Sequence, residues 1–357
     1  MTTTHPSTGD NATLQQRWQA LQAEQPKLRI RDAASALGVS EAELLNTRLG
    51  DGVVRLDTRW NELFKSLHTL GSVMALTRND DVVHERHGVY ENFESVEGHS
   101  QIALFVNPDI DLRIFLRHWS LAFAVSENGP HGERRSLQFF DKDGEAVHKI
   151  YLTDNSDVAA YQTLVEQHRL DVQDSALNIK PVERRVFNRP DSSVDVAALQ
   201  QGWDGLKDTH DFYPLLQGLK VDRLQALHLA GEQRACQVQD DSLRKVLTEA
   251  AAQGLEIMVF VGSRGMVQIH TGPVHTLKAV GEWYNVLDPE FNLHVRESAI
   301  ASIWRVIKPT EDGDVTALEC YDADGNQLVQ LFGKRKPGIP ELTAWRELVN
   351  ALEPKQS

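Results

Sequence analysis

Cysteine is nearly absent from this 357-residue chain: only Cys236 and Cys320 occur, far apart and in apolar surroundings. A disulfide framework and a zinc knuckle are therefore not expected, and both side chains read as buried thiols of a reducing compartment. A basic excess is missing too. Lys and Arg number 37 against 51 Asp and Glu, a formal charge of −14, whereas binding phosphates requires a basic face, so no nucleic-acid partner is expected. No stretch approaches the roughly 18 consecutive apolar residues of a membrane span, and stable membrane insertion is not expected. The opening MTTTHPSTGDNATLQQ lacks a basic-then-apolar layout and is no secretory signal. Residues 1–25 read as a disordered or helical leader of a cytoplasmic protein. P-loop, Gly-rich dinucleotide, zincin and nucleophile-elbow motifs are also missing. His84-Glu85-Arg86-His87 lacks the helical i, i+4 spacing of a zincin, and His270 and His275 in HTGPVH read as a loop.

What is present is an internal repeat. IALFV (102–106), DLRIF (111–115), SLQFFDKDGEAVHKIYL (136–152) and YQTLVEQH (161–168) are followed, in the same order, by IMVFV (257–261), NLHVRE (292–297), ALECYDADGNQLVQLFG (317–333) and WRELVNAL (345–352). Upstream, ELFKSLHTLGSVMALTRN (62–79) resembles DFYPLLQGLKVDRLQALHLA (211–230). Collinear matches of this kind indicate a duplication, with copies at 26–177 and 196–357 and a polar linker at 178–195. Turn signals between apolar runs, at Lys142-Asp143-Gly144, Ala323-Asp324-Gly325 and Gly231-Glu232, predict antiparallel strands. KVLTEAAAQG (245–254) predicts a helix closed by glycine. Helices and strands do not alternate regularly. The expected fold is α+β, two similar halves, each a large antiparallel sheet with flanking helices.

RIRDAASALGVSEAELL (29–45) has the layout of a helix-turn-helix. A DNA-reading second helix needs basic and amide side chains, and this one opens Ser40-Glu41-Ala42-Glu43. A structural helical cap is the alternative.

His210, in KDTHDFYPLL (207–216), is the principal chemical candidate. In a continuous helix Trp203, Leu206, His210 and Tyr213 share one face, but Pro214 requires a helix start near Asp208 or a kink. A core histidine satisfied by hydrogen bonds is one reading. The other is a ligand: the aligned first copy has Trp60 or Asn61 at this place, so the shared scaffold does not need an imidazole. A lone histidine flanked by aromatics suits the axial position of haem, whose propionates need cations. Arg113 and Phe115, i and i+2 on a strand, share a face, as do Gln330 and Phe332, with Lys334 and Arg335 just beyond. For Arg113, a surface ion pair with Asp109 or Asp111 is the alternative; for the basic run, a solvated strand end.

From RDAASALGVSEAELL through VMALTRNDDVVHERHGVYENF, IDLRIF, the Asp-x-His-x-Phe segment at 208–212 and KPTEDGDVTALE to the closing WRELV, the chain resembles the bacterial haemin-degrading factor / haemin transport protein family. The resemblance implies a tandem α+β duplication binding one haem b in a cleft of the C-terminal half. It implies that His210 is the axial iron ligand, with His84 a weaker alternative, and that Arg113 and Phe115 stand on the distal side. Arg223, Lys308, Gln330, Phe332 and Arg335 are the implied remaining pocket residues, Phe332 replacing a tyrosine of several relatives. It further implies haem storage and delivery in exchange with an inner-membrane transporter. A haem-degrading, oxygenase-like activity would need a reductant, with Arg113 the candidate catalytic donor. A haem oxygenase or a reductant is a further implied partner, and the chain would act as monomer or dimer. A DNA- or partner-binding regulator is the reading from a different class.

Overall fold

The computed structural model describes residues 8–95, 101–129, 132–173, 176–182, 186–336 and 338–356. The chain divides into two compact units: Met1–Thr77, Glu85–Glu183 and Ser263–Val267 form the first, and Arg78–His84, Arg184–Gly262 and Gln268–Ser357 the second. Each unit thus takes in a short hairpin segment from the other stretch of chain. The fold is α+β and a tandem duplication of two similar halves.

The first unit opens with helices α1 (Thr8–Glu24), α2 (Ile30–Leu37) and α3 (Glu41–Asn46). The expected leader is helical from residue 8, and residues 1–7 lie outside the described part. Strand β1 (Val53–Leu56), helix α4 (Trp60–Ser66) and strands β2 (Gly71–Arg78), β3 (Val82–Gly88), β4 (Phe93–Ser95), β5 (Ile102–Val106) and β6 (Asp111–Phe115) follow. Strands β7 (Leu121–Gly129), β8 (Gly132–Phe140) and β9 (Ala146–Ser156) and helix α5 (Val158–His168) complete it. Five strands pair antiparallel in the order β1-β7-β8-β9-β2, and three more in the order β4-β5-β6. The period-2 pattern is visible in β2, where Val73, Ala75 and Thr77 are buried and their neighbours half-buried. One sheet face packs on α4 and α5 through Leu63, Phe64, Tyr161 and Leu164. The other packs Phe123, Val125 and Phe140 under Ala42 and Leu45 of α3. Gly144, in the β8–β9 turn at φ 80°, lies against this roof: a Cβ there would stand 2.2 Å from the Ser40 hydroxyl.

The second unit repeats the plan. Helices α6 (Val196–Asp204), α7 (Phe212–Leu219) and α8 (Arg223–Leu229) precede β10 (Ala235–Val238), α9 (Ser242–Gln253), β11 (Ile257–Gly262) and β12 (Met266–Gly272). Strands β13 (Leu277–Val280), β14 (Trp283–Leu287), β15 (Phe291–Arg296), β16 (Ser302–Lys308), β17 (Val315–Tyr321) and β18 (Gln327–Gly333) lead to α10 (Thr343–Asn350). The corresponding orders are β10-β16-β17-β18-β11 and β13-β14-β15. One face of the larger set packs on α9 and α10 through Val246, Leu247, Trp345 and Val349. The other packs Trp304, Val306, Ala317 and Tyr321 beneath α6, α7 and α8. As expected, α9 ends at Gly254 in the left-handed region. Both cysteines are buried free thiols.

Some expectations need correction. Gly231-Glu232 joins α8 to β10, so the apolar run before it is a helix and not a strand. His270 lies on β12, buried and stacked on Phe291 at 3.7 Å, so it is not a loop residue. The helix-turn-helix layout is real, but its second helix, α3, buries Glu41, Ala42, Leu44, Leu45 and Asn46. A recognition helix must keep such a face open for base edges. Here α3 is a roof over the sheet, held at its start by a Ser40–Glu43 capping box.

Candidate functional site

His210 belongs neither to a core nor to a continuous helix. Helix α6 stops at Asp204 and gives way to Gly205, and a single 3-10 turn over Thr209–Asp211 leads into α7. The break removes the shared helical face: Trp203 is buried, while Tyr213 is exposed. The His210 side chain itself is 90% exposed. Pro214 falls in the first turn of α7, where its missing N–H has no intrahelical partner to lose.

The exposed ring is nevertheless held. Asp208 accepts from the His210 backbone N–H at 2.8 Å and meets ring Nδ1 at 2.5 Å, while its own N–H donates to Asp211 at 3.0 Å. A carboxylate only accepts, so Nδ1 carries the proton, and in the neutral ring the lone pair stands on the outward Nε2. The His210 backbone N–H holds the Asp208 carboxyl below the usual carboxylate range, with the His210 ring and the Arg335 guanidinium adding to it. Carboxylate–histidine pairs of this kind orient metal-ligating imidazoles and raise their basicity.

Two residues further on, Phe212 is buried edge-on against Trp203, with ring centroids 4.5 Å apart. The Arg223 guanidinium lies 5.2 Å and the Lys308 amine 4.7 Å from the centre of its ring. Both cations meet Glu319, a buried carboxylate on β17. Arg223 donates from Nε at 3.0 Å and from Nη2 at 2.7 Å, and Lys308 donates at 3.0 Å. Gln327 Nε2 donates to Glu319 at 3.0 Å, and the Tyr321 hydroxyl donates to it as well. Burial alone would push the Glu319 carboxyl up, but Arg223 and Lys308 hold it well below the usual carboxylate range. Burial brings the Lys308 amine down to about 8, against the pull of Glu319. The Lys308 side chain is only 4% exposed, whereas that of Arg223 is 30% exposed.

On the same sheet face, Gln330 stands opposite Glu319 and Phe332 opposite Ala317, and Met258 and Phe260 of β11 continue the rows. All four are half-buried, in contrast to the strand pair β16–β17 under the helices. Phe260 and Phe332 pack with ring centroids 5.0 Å apart. This leaves an amphipathic strip beside the helical layer. Arg335 lies 3.9 Å from Asp312 at the end of β18.

Arg113 and Phe115 belong to the first unit. They share the half-buried face of β6, as their spacing predicts, and Arg113 pairs with Asp111, while Asp109 pairs with Arg86. His84, the weaker alternative ligand, belongs to the second unit and is fully buried on β3, its ring 4.9 Å from Phe291. Among the described residues no group of three or more His, Cys, Asp or Glu is placed to hold a metal ion. None of the described helices is long and apolar enough to cross a membrane.

Two members of the site were not anticipated. Glu319 had a readable signal, being the only charged residue in the strand VTALECY. Asp208 was legible as the place of a helix start, though not as the partner of the imidazole.

The chain matches the family described as "Haemin-degrading HemS.ChuX domain" twice, over residues 38–168 and 220–352. It is 41% identical over 343 residues to the hemin transport protein HmuS of Yersinia pestis, covering 96% of this chain and 98% of that one. It is 39% identical over 334 residues to the hemin transport protein HemS of Yersinia enterocolitica, covering 93% and 95%. Among solved structures, holo-PhuS, a heme-binding protein from Pseudomonas aeruginosa, superposes with a TM-score of 0.94 at 48% identity, covering 97% of this chain and 99% of that one. ChuS, an E. coli heme oxygenase, superposes with a TM-score of 0.86 at 37% identity, covering 96% and 100%.

Proposed function

The chain belongs to the haemin-degrading HemS.ChuX family, and from that premise we propose that it holds haem b through the Nε2 atom of His210 and hands it on within an iron-acquisition system. The observation that carries this reading is the Asp208–His210 pair: an imidazole 90% exposed, yet oriented, with its lone pair outward. A surface histidine with no partner would sample rotamers; this one is presented. The Phe212 cluster and the half-buried strip of β11 and β18 suit a dianionic, flat, largely apolar ligand. Arg223 supplies a partly exposed guanidinium suited to a carboxylate. Phe332, Phe260 and Met258 offer apolar surface, and Gln330 a polar side chain at its edge.

When bound, haem supplies a redox-active iron able to react with oxygen. The protein's part is to bind and to orient. Asp208 holds the proton on Nδ1 and so keeps Nε2 available as a ligand, and Phe212, clamped beneath, fixes the start of α7. Delivery and degradation are both consistent with the names of the relatives, which include transport proteins and a heme oxygenase. We take binding and delivery as the central function, exchanging haem with an inner-membrane transporter, and macrocycle opening as an activity that requires an added reductant. A dedicated oxygenase is the alternative. A chain acting inside the cytoplasm accords with this role.

The test is a haemin titration of the purified protein. A Soret band saturating near one equivalent is expected, and His210→Ala should abolish the histidine-ligated spectrum. A spectrum identical to free haemin would end the reading, and an unaltered His210→Ala spectrum would move the ligand elsewhere, with His84 next in line. Reductant under air then separates carrier from enzyme: rapid Soret loss that slows in Arg113→Ala marks degradation, and a stable band marks a carrier.

A further inference from the structure

The first unit buries an imidazole and a phenol that haem binding does not use. His148 of β9 and Tyr90, just beyond β3, are each 2% exposed. The Tyr90 hydroxyl lies 2.6 Å from His148 Nε2, and Thr77 Oγ1 of β2 lies 2.9 Å from Nδ1. The Thr77 hydroxyl donates in turn to Met266 Sδ at 3.3 Å. All four residues belong to the first unit. A thioether only accepts, so the single Thr77 proton is engaged by Met266, and His148 Nδ1–H donates to Thr77. Nε2 then carries the lone pair, and Tyr90 donates to it. Burial pushes the Tyr90 phenol well above its ordinary range and brings the His148 imidazole down to about 3, so the pair rests as phenol and neutral imidazole. Rings connect it to the surface. Trp119, 5% exposed, has its ring 6.3 Å from that of His148, and half-buried Trp60 of α4 meets Trp119 edge-on at 5.7 Å. Phe105, 5.0 Å from Tyr90, and Phe139, 4.9 Å from Trp119, wall this path off from water.

We propose that Tyr90 and His148 form a proton-coupled redox pair, reached from the surface through Trp119 and Trp60, that disarms one-electron oxidants of the peroxyl-radical class. A peroxyl radical at Trp60 takes one electron from the indole and one proton from solvent, and leaves as a hydroperoxide. Tyr90 replaces that electron through Trp119. As it does so the phenol O–H breaks and an N–H forms at His148 Nε2, which leaves a neutral phenoxyl radical and an imidazolium. A thiol reductant then returns one electron and releases its own proton to solvent, while the His148 proton moves back to the Tyr90 oxygen. Without the imidazole, an oxidised phenol would be an unpaired cation in an apolar core, which desolvation opposes. The proton travels only along a hydrogen bond already made. Replacing both partners of a buried bond by apolar groups is close to neutral, so packing alone does not call for this chain of polar groups. The proposal does not depend on haem.

The experiment uses the full-length protein without haemin, photogenerated ruthenium(III) tris-bipyridine as the oxidant, and freeze-quench electron paramagnetic resonance. The exposed Tyr213 is changed to phenylalanine throughout, which removes its surface signal. This parent should give a neutral tyrosyl radical that outlives the oxidant. Tyr90→Phe should lose the long-lived signal. His148→Gln keeps the phenol without the base and should lose it too, while Trp60→Phe should form it several-fold more slowly. A purely structural pair predicts the same yield and lifetime in all four proteins, and that result overturns the proposal, as does a parent with no long-lived radical. Should the core variants fail to fold, Trp60→Phe decides: slower formation supports the path, and an unchanged rate rejects it. Peroxyl radicals from a water-soluble azo initiator, with a thiol present, then measure the activity itself. Mass spectrometry should find Trp60 oxidised several-fold faster in Tyr90→Phe than in the parent, and equal rates overturn the proposed role.

Discussion

In both units the sheet face beneath the N-terminal helices carries a buried ion pair, and the two are built to different ends. In the first unit Lys149 of β9 meets Glu41 of α3, both buried, and the aligned position of Glu319 is taken by Gln138, which donates to the Ser136 hydroxyl at 3.0 Å. There the lysine comes from the sheet and the glutamate from the helix that covers it. In the second unit the roof is α6–α8, and the anion has two cations, one of them reaching solvent. Deeper in the first unit the polar core is neutral: buried His148 bridges Thr77 at 2.9 Å and Tyr90 at 2.6 Å. The duplicated scaffold therefore tolerates polar groups at matching depth in both copies. In the second copy one of the paired cations, Arg223, keeps a partly exposed side chain.

This difference can be tested by perturbing each copy. The largest effect is expected on acidification. Burial brings the His148 imidazole down to about 3 from its ordinary 6.5. The unfolded chain takes up that proton first, so the stability is full above pH 6.5 and is lost as pH falls towards 3, by on the order of 4–5 kcal/mol. Glu319 carries the other sign of group: its contribution is present above the ordinary 4.5 and is lost only below it. Hydrogen exchange at pH 5 should accordingly show peptides of the first unit opening before those of the second, and His148→Gln should remove that order.

Next in size are the two lysines. Lys149→Met leaves Glu41 buried without its cation and should cost roughly 3–5 kcal/mol. Lys308→Met leaves Glu319 with Arg223, Tyr321 and Gln327 and should cost only about 1–2 kcal/mol. Thermal melts of the two variants measure the contrast, and equal losses would show that the two clusters are energetically alike. The smallest stability effect belongs to Asp208→Ala, about 1 kcal/mol for a lost helix-start cap. Its haemin dissociation rate should nonetheless rise well above that of wild type, because the imidazole loses its orienting partner; stopped-flow transfer to an apo acceptor measures this.

Much of the architecture was legible locally. Period-2 alternation placed Arg113 with Phe115 and Gln330 with Phe332 on shared faces, and both pairs are half-buried as the spacing requires. The turn at Ala323-Asp324-Gly325 and the glycine stop of α9 were equally readable. The exposure of His210 was not. Helical spacing suggested a buried face, and what prevails is the competition of Gly205 and the Asp208 side chain with helix continuation.

The strands, the turns and the stop of α9 follow from patterns within about twenty residues, where side-chain periodicity and backbone preference act directly, and the duplication follows from the order of such patterns along the chain. The chemistry of the second unit does not. Arg223 finds Glu319 across 96 positions and Lys308 finds it across 11. Whether a guanidinium is cancelled or presented depends on which charges the packing brings within hydrogen-bond reach of one buried oxygen. That is a property of burial and distance, which no stretch of sequence carries alone.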